Sequence, residues 1–212
     1  MAEGLILDGV DIRHRDGRAL IKLDACVAPG AILSVMGPSG VGKSTILAAI
    51  TGTLPPEFRF TGLISLNGRT LNGLAPETRR VGILFQDHLL FPHLSVGQNL
   101  GFGLPRKTMN RRDRVADALA EIGLEGFSAR DPATLSGGQR ARVALMRTLL
   151  AEPEALLLDE PFSRLDAELR GKMRELVFER ARALSLPVLL VTHDLADAEA
   201  AGGEIIRLSP TP

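Results

Sequence analysis

Short apolar runs, each closed by glycine, proline or charged residues, divide this chain into predicted strands and helices. Three runs, at 31–36, 155–158 and 187–192, are almost continuously apolar. Such runs are typical of strands that are buried on both faces, as in a parallel sheet covered by helices. The segments 5–7, 10–12, 19–27 and 62–66 alternate instead, which predicts strands with one exposed face. We therefore expect an α/β fold with additional antiparallel strands near the N-terminus.

Between about residues 87 and 152 the pattern becomes helical. Apolar residues at 115, 118, 119 and 122 form one helical stripe. Further helices are predicted at about 137–151 and 170–184. The pattern therefore places a helical segment between the strands that end near residues 85 and 158.

A glycine-rich stretch follows the first continuously apolar run and precedes the helical pattern at 46–50. Its members are Gly37, Pro38, Ser39, Gly40, Val41, Gly42, Lys43, Ser44 and Thr45. Strand, glycine loop and helix form the context in which this spacing cradles phosphates with backbone N–H groups. Lys43 would supply positive charge to the β- and γ-phosphates, and the Ser44 hydroxyl an oxygen ligand for Mg²⁺. The stretch predicts a nucleoside-triphosphate site.

Two carboxylates close the second continuously apolar run. Asp159 and Glu160 follow directly after Leu158, at the strand end where ligands collect in open α/β sheets. Asp159 can hold Mg²⁺, and Glu160 is free to orient or deprotonate an attacking water.

A second candidate anion site begins the helix at 137–151. The stretch from Leu135 to Arg140 combines the Ser136 hydroxyl with two glycines, as suits a helix N-terminus that binds an anion. An ordinary helix cap with flexible glycines is the alternative. The first loop is predicted to hold one nucleotide, so the sequence does not yet explain why the chain would have a second anion site.

Composition restricts the choice of partners and compartment. Apolar residues make up 45% of the chain and the formal net charge is zero, which gives no bulk electrostatic case for nucleic acid. The single cysteine, Cys26, excludes a disulfide framework and is expected to be a small buried strand residue. No apolar run reaches 18 residues and no signal-like N-terminus is present. We expect a cytoplasmic protein that meets a membrane only through partners.

Together these stretches resemble the ATP-binding subunits of ABC transporters. The matching motifs, in family order, are the Walker A loop Gly37–Thr45, the Q-loop Gln86, the signature Leu135–Gln139, the Walker B segment Leu156–Glu160, the D-loop Ser163–Asp166 and the switch His193. The resemblance implies a P-loop NTPase (RecA-like) core with an N-terminal antiparallel β subdomain and an inserted α-helical subdomain. It assigns 1–212 to one ATPase domain, with 1–86 and 153–212 as core and 87–152 as the helical signature subdomain. No C-terminal regulatory domain is expected.

The resemblance also implies a head-to-tail homodimer that holds two ATP molecules at its interface. The expected catalytic residues are Lys43, Gln86, Glu160 and His193, and the expected Mg²⁺ ligands are Ser44, Gln86 and Asp159. The residues expected to contact the partner's nucleotide are Ser136, Gly137, Gly138, Gln139 and Asp166. This arrangement would account for two anion sites in one chain.

Within the family, the segment Phe91–Val96 is similar to that of binding-protein-dependent importers. This similarity implies two integral-membrane permease subunits as partners, a periplasmic solute-binding protein acting indirectly, and attachment to the inner face of the cell membrane. Residues 87–100 are expected to form the docking surface. An ATPase that switches a non-import complex, in lipoprotein release or cell division, shares every catalytic motif and stays open as an alternative. A DNA-repair relative is disfavoured because no long coiled-coil insertion is present.

The adenine contact departs from the family pattern. The family usually stacks an aromatic residue upstream of Walker A on the base, but no phenylalanine precedes Phe58, and tyrosine and tryptophan are absent. His14 and Arg15 are the nearest planar side chains. Either stacks on adenine, or this segment is only a solvated hairpin turn.

Overall fold

The computed structural model describes residues 3–38 and 40–209. The described elements, in chain order, are β1 (Leu5–His14), β2 (Ala19–Val27), β3 (Ile32–Met36), α1 (Lys43–Thr51), β4 (Phe58–Leu66), β5 (Arg69–Thr70), β6 (Val81–Leu84), α2 (Val96–Gly103), α3 (Arg111–Glu121), α4 (Gly137–Leu150), β7 (Ala155–Asp159), α5 (Ala167–Ala183), β8 (Val188–Thr192), α6 (Leu195–Ala201) and β9 (Glu204–Arg207). Short 3₁₀ turns lie at Pro76–Thr78 and Pro132–Thr134.

The described strands form two sheets. A five-stranded sheet has the order β6-β7-β8-β3-β9, and every pairing within it is parallel. A four-stranded antiparallel sheet has the order β2-β1-β4-β5. The α/β fold, with antiparallel strands from the N-terminal part of the chain, is confirmed.

The parallel sheet is covered on both faces. Alternate residues of β3, β7 and β8 enter two separate hydrophobic cores. One core is completed by helices α2 to α5. The other is completed by α1 and the antiparallel sheet. The continuously apolar runs therefore have the two-sided burial that their sequence predicts.

Helices α2, α3 and α4 all lie between β6 and β7 in the chain. They are the inserted helical part of the expected fold, while the subdomain boundaries at 86/87 and 152/153 stay predictions. Ser95 and Gln98 form a capping box that fixes the start of α2. Among residues 3–38 and 40–209, no helix has both the length and the apolar character needed to cross a membrane.

Several elements differ from the sequence expectation. Helix α5 begins three residues before the predicted start at Arg170, because the Asp166 side chain accepts from the backbone N–H of Leu169 and caps the helix there. Helix α6 and strand β9 were not predicted. Both are short, and β9 is a partly exposed edge strand with a weak apolar pattern.

The expected burial of Cys26 is wrong. Cys26 does lie in β2, but its side chain is exposed. Ile21, Leu23 and Val27 occupy the buried phase of the strand. Since successive strand residues point to opposite faces, the residue before Val27 must point outward.

A buried arginine lies beneath the C-terminal end of α1. The Arg79 guanidinium donates to the carbonyls of Ala49 at 2.9 Å and Ile50 at 2.8 Å, and its Nε donates to the Leu74 carbonyl at 3.0 Å. A Cβ at Gly52, whose φ is 81°, would lie 2.6 Å from the guanidinium carbon. Burial lowers the pKa of Arg79, yet guanidinium stays charged in proteins. Arg79 therefore places a cation at the negative end of α1.

We expect Arg79→Met to lower the free energy of unfolding by at least ~2 kcal/mol, because each buried carbonyl left without a donor costs about 1–3 kcal/mol. Urea denaturation without nucleotide measures the change. Arg80→Met is the control, since its side chain is 55% exposed, and a change within about 0.5 kcal/mol is expected there. Equal losses in the two variants would contradict the role of Arg79.

Candidate active site

Four parallel strands, β6, β7, β8 and β3, end at the same edge of the sheet. The residues that follow or close these strands are polar or begin the glycine loop: Gly37, Gln86, Glu160 and His193. Carboxyl ends of parallel strands are the place where α/β sheets bind ligands. The topology thus brings residues from distant parts of the chain to one edge.

A cavity of about 410 Å³ opens at this edge. It is lined by His14, Leu20, Gly40, Gly42, Lys43, Ser44, Thr45, Phe58, Gln86, Asp159 and Glu160. Five residues of the predicted loop, from Gly40 to Thr45, therefore share one site with Gln86 and the two carboxylates, whereas Gly37, Pro38 and His193 are not part of the lining. Ser39 lies outside the described residues. Val41 is buried, and its backbone N–H donates to the Pro38 carbonyl at 3.4 Å.

Lys43 is held inside the loop at the start of α1. Its side chain is only 6% exposed, and Nζ donates to the carbonyls of Gly37 at 2.8 Å and Pro38 at 3.0 Å. The residue before it, Gly42, has a φ of 100°, which favours glycine. A lysine at a helix N-terminus combines a full charge with backbone N–H donors. This end of the cavity is built to receive an anion.

Ser44 and Asp159 meet across the cavity. Ser44 Oγ donates to Asp159 Oδ1 at 3.3 Å. Burial raises the pKa of Asp159, and neighbouring Glu160 acts in the same direction, whereas the Ser44 hydrogen bond and Lys43 lower it. With the side chain of Gln86, the site offers a hydroxyl, an amide oxygen and a carboxylate, which are ligands that Mg²⁺ accepts. The residues present fit the cation, and its charge would offset the cost of burying an ionised Asp159.

Glu160 is held in one backbone conformation. Its φ is 46°, in the left-handed region that costs a non-glycine residue about 1–3 kcal/mol. Its N–H donates to the Val191 carbonyl at 2.9 Å, and its own carbonyl accepts from Ser163 Oγ at 2.9 Å. Its carboxylate contacts His193 Nδ1 at 3.0 Å and Lys43 Nζ at 3.7 Å. The carboxylate is thereby aimed between the loop and His193.

The residues predicted to act on a partner's nucleotide do not line this cavity. Ser136 and Gln139 form a capping box at the start of α4, and both Ser136 and Gly137 are exposed. Gly138 is buried, and any Cβ there would overlap Leu169 of α5. Asp166 caps α5. Ser136 therefore caps α4, as in the alternative interpretation of this stretch.

The sequence missed Phe58 as a site residue. Phe58 pairs with His14 across β4 and β1, and their ring centroids lie 5.0 Å apart with both side chains on the cavity. The family pattern points to aromatics upstream of the Walker A loop, and the sequence predicts β4 only from Gly62, so Phe58 falls outside both expectations. The alternation Phe58, Phe60 ahead of Gly62 was the available signal. Arg15 instead donates to the carbonyl of Pro56.

A phosphate loop, an adjacent lysine and a carboxylate pair at one edge of a covered parallel sheet define a P-loop nucleoside triphosphatase. The ABC transporter family model matches residues 20–163, which is more than half of the chain. The chain belongs to the ABC transporter family, as an ATP-binding protein with ABC-type ATPase activity.

Individual relatives agree with this assignment. The chain is 52% identical over 198 residues to the uncharacterized ABC transporter ATP-binding protein YnjD of Escherichia coli K12, covering 92% of this chain and 91% of that one. It is 42% identical over 193 residues to the thiamine import ATP-binding protein ThiQ of Aliivibrio fischeri, covering 90% and 81%. A solved structure is similar with a TM-score of 0.80 and 31% identity, covering 97% of this chain and 94% of that one. It is the dimeric, post-hydrolysis state of the ATP-binding cassette MJ0796 bound to ADP and Pi.

Proposed function

We propose that this ATPase powers solute import through separate membrane permease subunits. The observation that carries the proposal is an exposed apolar groove that includes β6 residues and reaches Phe85, the residue before Gln86 of the nucleotide cavity. A groove in that place can link the state of the nucleotide to a membrane partner. Similarity to the thiamine import protein ThiQ supports the direction of transport.

The cavity residues divide the work of hydrolysis. Lys43 and the loop N–H groups bind the phosphates, and Ser44, Gln86 and Asp159 would hold Mg²⁺. The cation would supply positive charge that offsets the negative charge of the phosphates. Glu160 orients and polarises the attacking water. His193, whose Nδ1 lies 3.0 Å from the Glu160 carboxylate, contacts the γ-phosphate.

The working unit is a head-to-tail homodimer in its ATP-bound state. The signature residues Ser136 and Gly137 are exposed and lie outside the lining of the chain's own cavity, so they are free to contact a nucleotide that another copy holds. The dimeric state of the similar cassette MJ0796 supports this arrangement. In the dimer, Ser136, Gly137, Gly138, Gln139 and Asp166 face the partner's nucleotide. ATP closes the dimer, and loss of the shared γ-phosphate contacts opens it.

The apolar groove, of about 440 Å³, receives a helix of the permease. Its lining residues are Gly82, Ile83, Phe85, Leu89, Phe91, Phe102, Gly103, Arg147, Thr148 and Ala151. Phe102 is 67% exposed although its ring lies 4.6 Å from that of Phe91. Burial lowers the pKa of Arg147, which lies over Phe91. Exposed apolar side chains gathered in one groove mark an interaction surface, and an apolar helix end on the cytoplasmic side of a permease fits it.

On this proposal the protein is peripheral on the inner face of the cell membrane, and a periplasmic solute-binding protein acts through the permease. The part of the expected docking segment 87–100 that lines the groove is Leu89 and Phe91. The alternative, a switch for lipoprotein release or cell division, uses the same catalytic residues. Neighbouring genes for a permease and a periplasmic binding protein would favour import. Neighbouring genes for lipoprotein release or cell division would favour the alternative.

Glu160→Gln should reduce ATP turnover by about 10²- to 10⁴-fold, because it removes the base while keeping the shape of the side chain. ATP binding should persist, and the variant should elute as an ATP-dependent dimer in size-exclusion chromatography. Lys43→Ala is the matched control, and it should lose nucleotide affinity and stay monomeric with ATP. Wild-type turnover by Glu160→Gln, or no ATP-dependent dimer, would contradict the proposal.

Phe58→Ala should weaken ATP binding roughly tenfold, because stacking of a base on an aromatic ring contributes about 1–3 kcal/mol. Inorganic triphosphate has no base, so its affinity should not change. Phe60→Ala is the control, since Phe60 lies two residues along the same strand and outside the cavity lining. His14→Ala tests the other ring in the same way. Equal losses for ATP and triphosphate would refute stacking.

Phe102→Asp should reduce the fraction of the protein that sediments with membranes of its native host severalfold, because it places a charge in an apolar contact. ATP binding by the purified subunit should not change. Met109→Asp is the control, since Met109 is 82% exposed and outside the groove. If both variants sediment like the wild type, the groove is not the docking site.

A further inference from the structure

One face of α5 carries three charged residues spaced four positions apart. Asp166 caps the helix, and Arg170 and Arg174 follow one and two turns later. Residues with this spacing lie along one helical face. Arg170 forms an ion pair with Asp194, and Arg174 forms one with Asp197. This face of α5 therefore holds the segment that follows β8.

The ion pair of Arg174 is part of a buried network. Arg174 Nε donates to Asp197 Oδ1 at 2.6 Å, and Asp197 is only 2% exposed. The other carboxylate oxygen of Asp197 accepts from the Thr192 hydroxyl at 3.1 Å, and that hydroxyl accepts from the Asp194 N–H at 3.0 Å. The network thus fixes the residue on each side of His193.

His193 depends on this support because its own side chain is not packed. The side chain is 57% exposed, and its polar contact is with Glu160. The backbone between Thr192 and Asp194 therefore sets where the side chain begins, and from there the ring reaches Glu160. Neither Arg170 nor Arg174 lines the nucleotide cavity.

A gain in folding stability alone does not explain the buried ion pair of Arg174 and Asp197. Replacement of a buried ion pair by apolar residues of similar volume is often neutral or stabilising. The network instead connects the segment around His193 to α5, the helix that Asp166 caps.

We propose that Arg170 and Arg174 are positioning residues for ATP hydrolysis, which hold His193 at Glu160 and tie its position to that of α5. The inference rests on the proposed roles of His193 at the γ-phosphate and of Asp166 at the dimer interface. Because Asp166, Arg170 and Arg174 belong to one rigid helix, closure of the dimer on Asp166 and placement of His193 occur together. Arg170 and Arg174 act through His193 and touch no reacting atom.

The test uses a variant in which both members of the buried pair are replaced, Arg174→Met with Asp197→Leu, so that no unpaired charge remains. We expect kcat to fall about 10- to 100-fold, as for a reacting group displaced by about 1 Å. The KM for ATP should stay within roughly twofold, since the phosphate loop is untouched. The single variant Arg174→Lys keeps the charge, so its kcat should lie between that of the double variant and that of the wild type. Lys172→Met, which removes the exposed pair with Glu168 on the same helix, should leave kcat unchanged.

The same pair of substitutions is then made in a His193→Ala background. If Arg174 acts through His193, kcat should fall no further there, because the group being positioned is already gone. An equal fold-loss of kcat in both backgrounds would overturn the inference, as would wild-type kcat in the Arg174→Met, Asp197→Leu variant. Full kcat in His193→Ala alone would also overturn it.

ATP-dependent dimerisation in the Glu160→Gln background separates this inference from the proposed function. Absence of the dimer in Glu160→Gln alone counts against the proposed function. An intact dimer together with additive losses of kcat counts against the positioning role only.

Discussion

The burial of strands β3, β7 and β8 is the constraint on which the molecule depends. Nearly all of their side chains are inaccessible, and they alternate between two hydrophobic cores. A sheet covered in this way can expose polar groups only where its strands end. The phosphate loop, the carboxylate pair and His193 all occupy such ends, so the burial that stabilises the fold also locates the chemistry.

The polar side chains at this edge hold one another in place. Glu160 lies between Lys43 and His193, while Asp159 shares a hydrogen bond with Ser44. Close partners, together with the low exposure of Lys43 and Glu160, restrict the rotamers that these side chains can adopt. Preorganised groups of this kind do not have to reorient when charge develops on a transferring phosphoryl group. The left-handed backbone of Glu160 is a local cost of that arrangement.

Strands and motifs that consist of contiguous residues could be predicted from the sequence. Contacts between residues that are distant in the chain could not. The runs that became β3, β7 and β8 predicted both the covered sheet and the ends that carry Gly37 and Asp159. Phe58 reaches the cavity only because β1 and β4 pair in a register that sets it opposite His14. The network of Arg174, Asp197 and Thr192 likewise depends on how α5 packs, and no local spacing reveals it. The short α6 and β9 lack the apolar periodicity from which a helix or strand is predicted.

The pairing of Phe58 with His14 also bears on which nucleotides the cavity accepts. An aromatic ring meets the flat face of a base, and the faces of adenine and guanine stack similarly, because every base has a π-face. The donors and acceptors that distinguish the two purines lie on their edges, and a phenylalanine ring has no atom that could pair with them. The proposed stacking on Phe58 would therefore contribute affinity for a purine base without distinguishing ATP from GTP. Of the two rings, only the His14 imidazole carries a donor and an acceptor that could pair with a base edge.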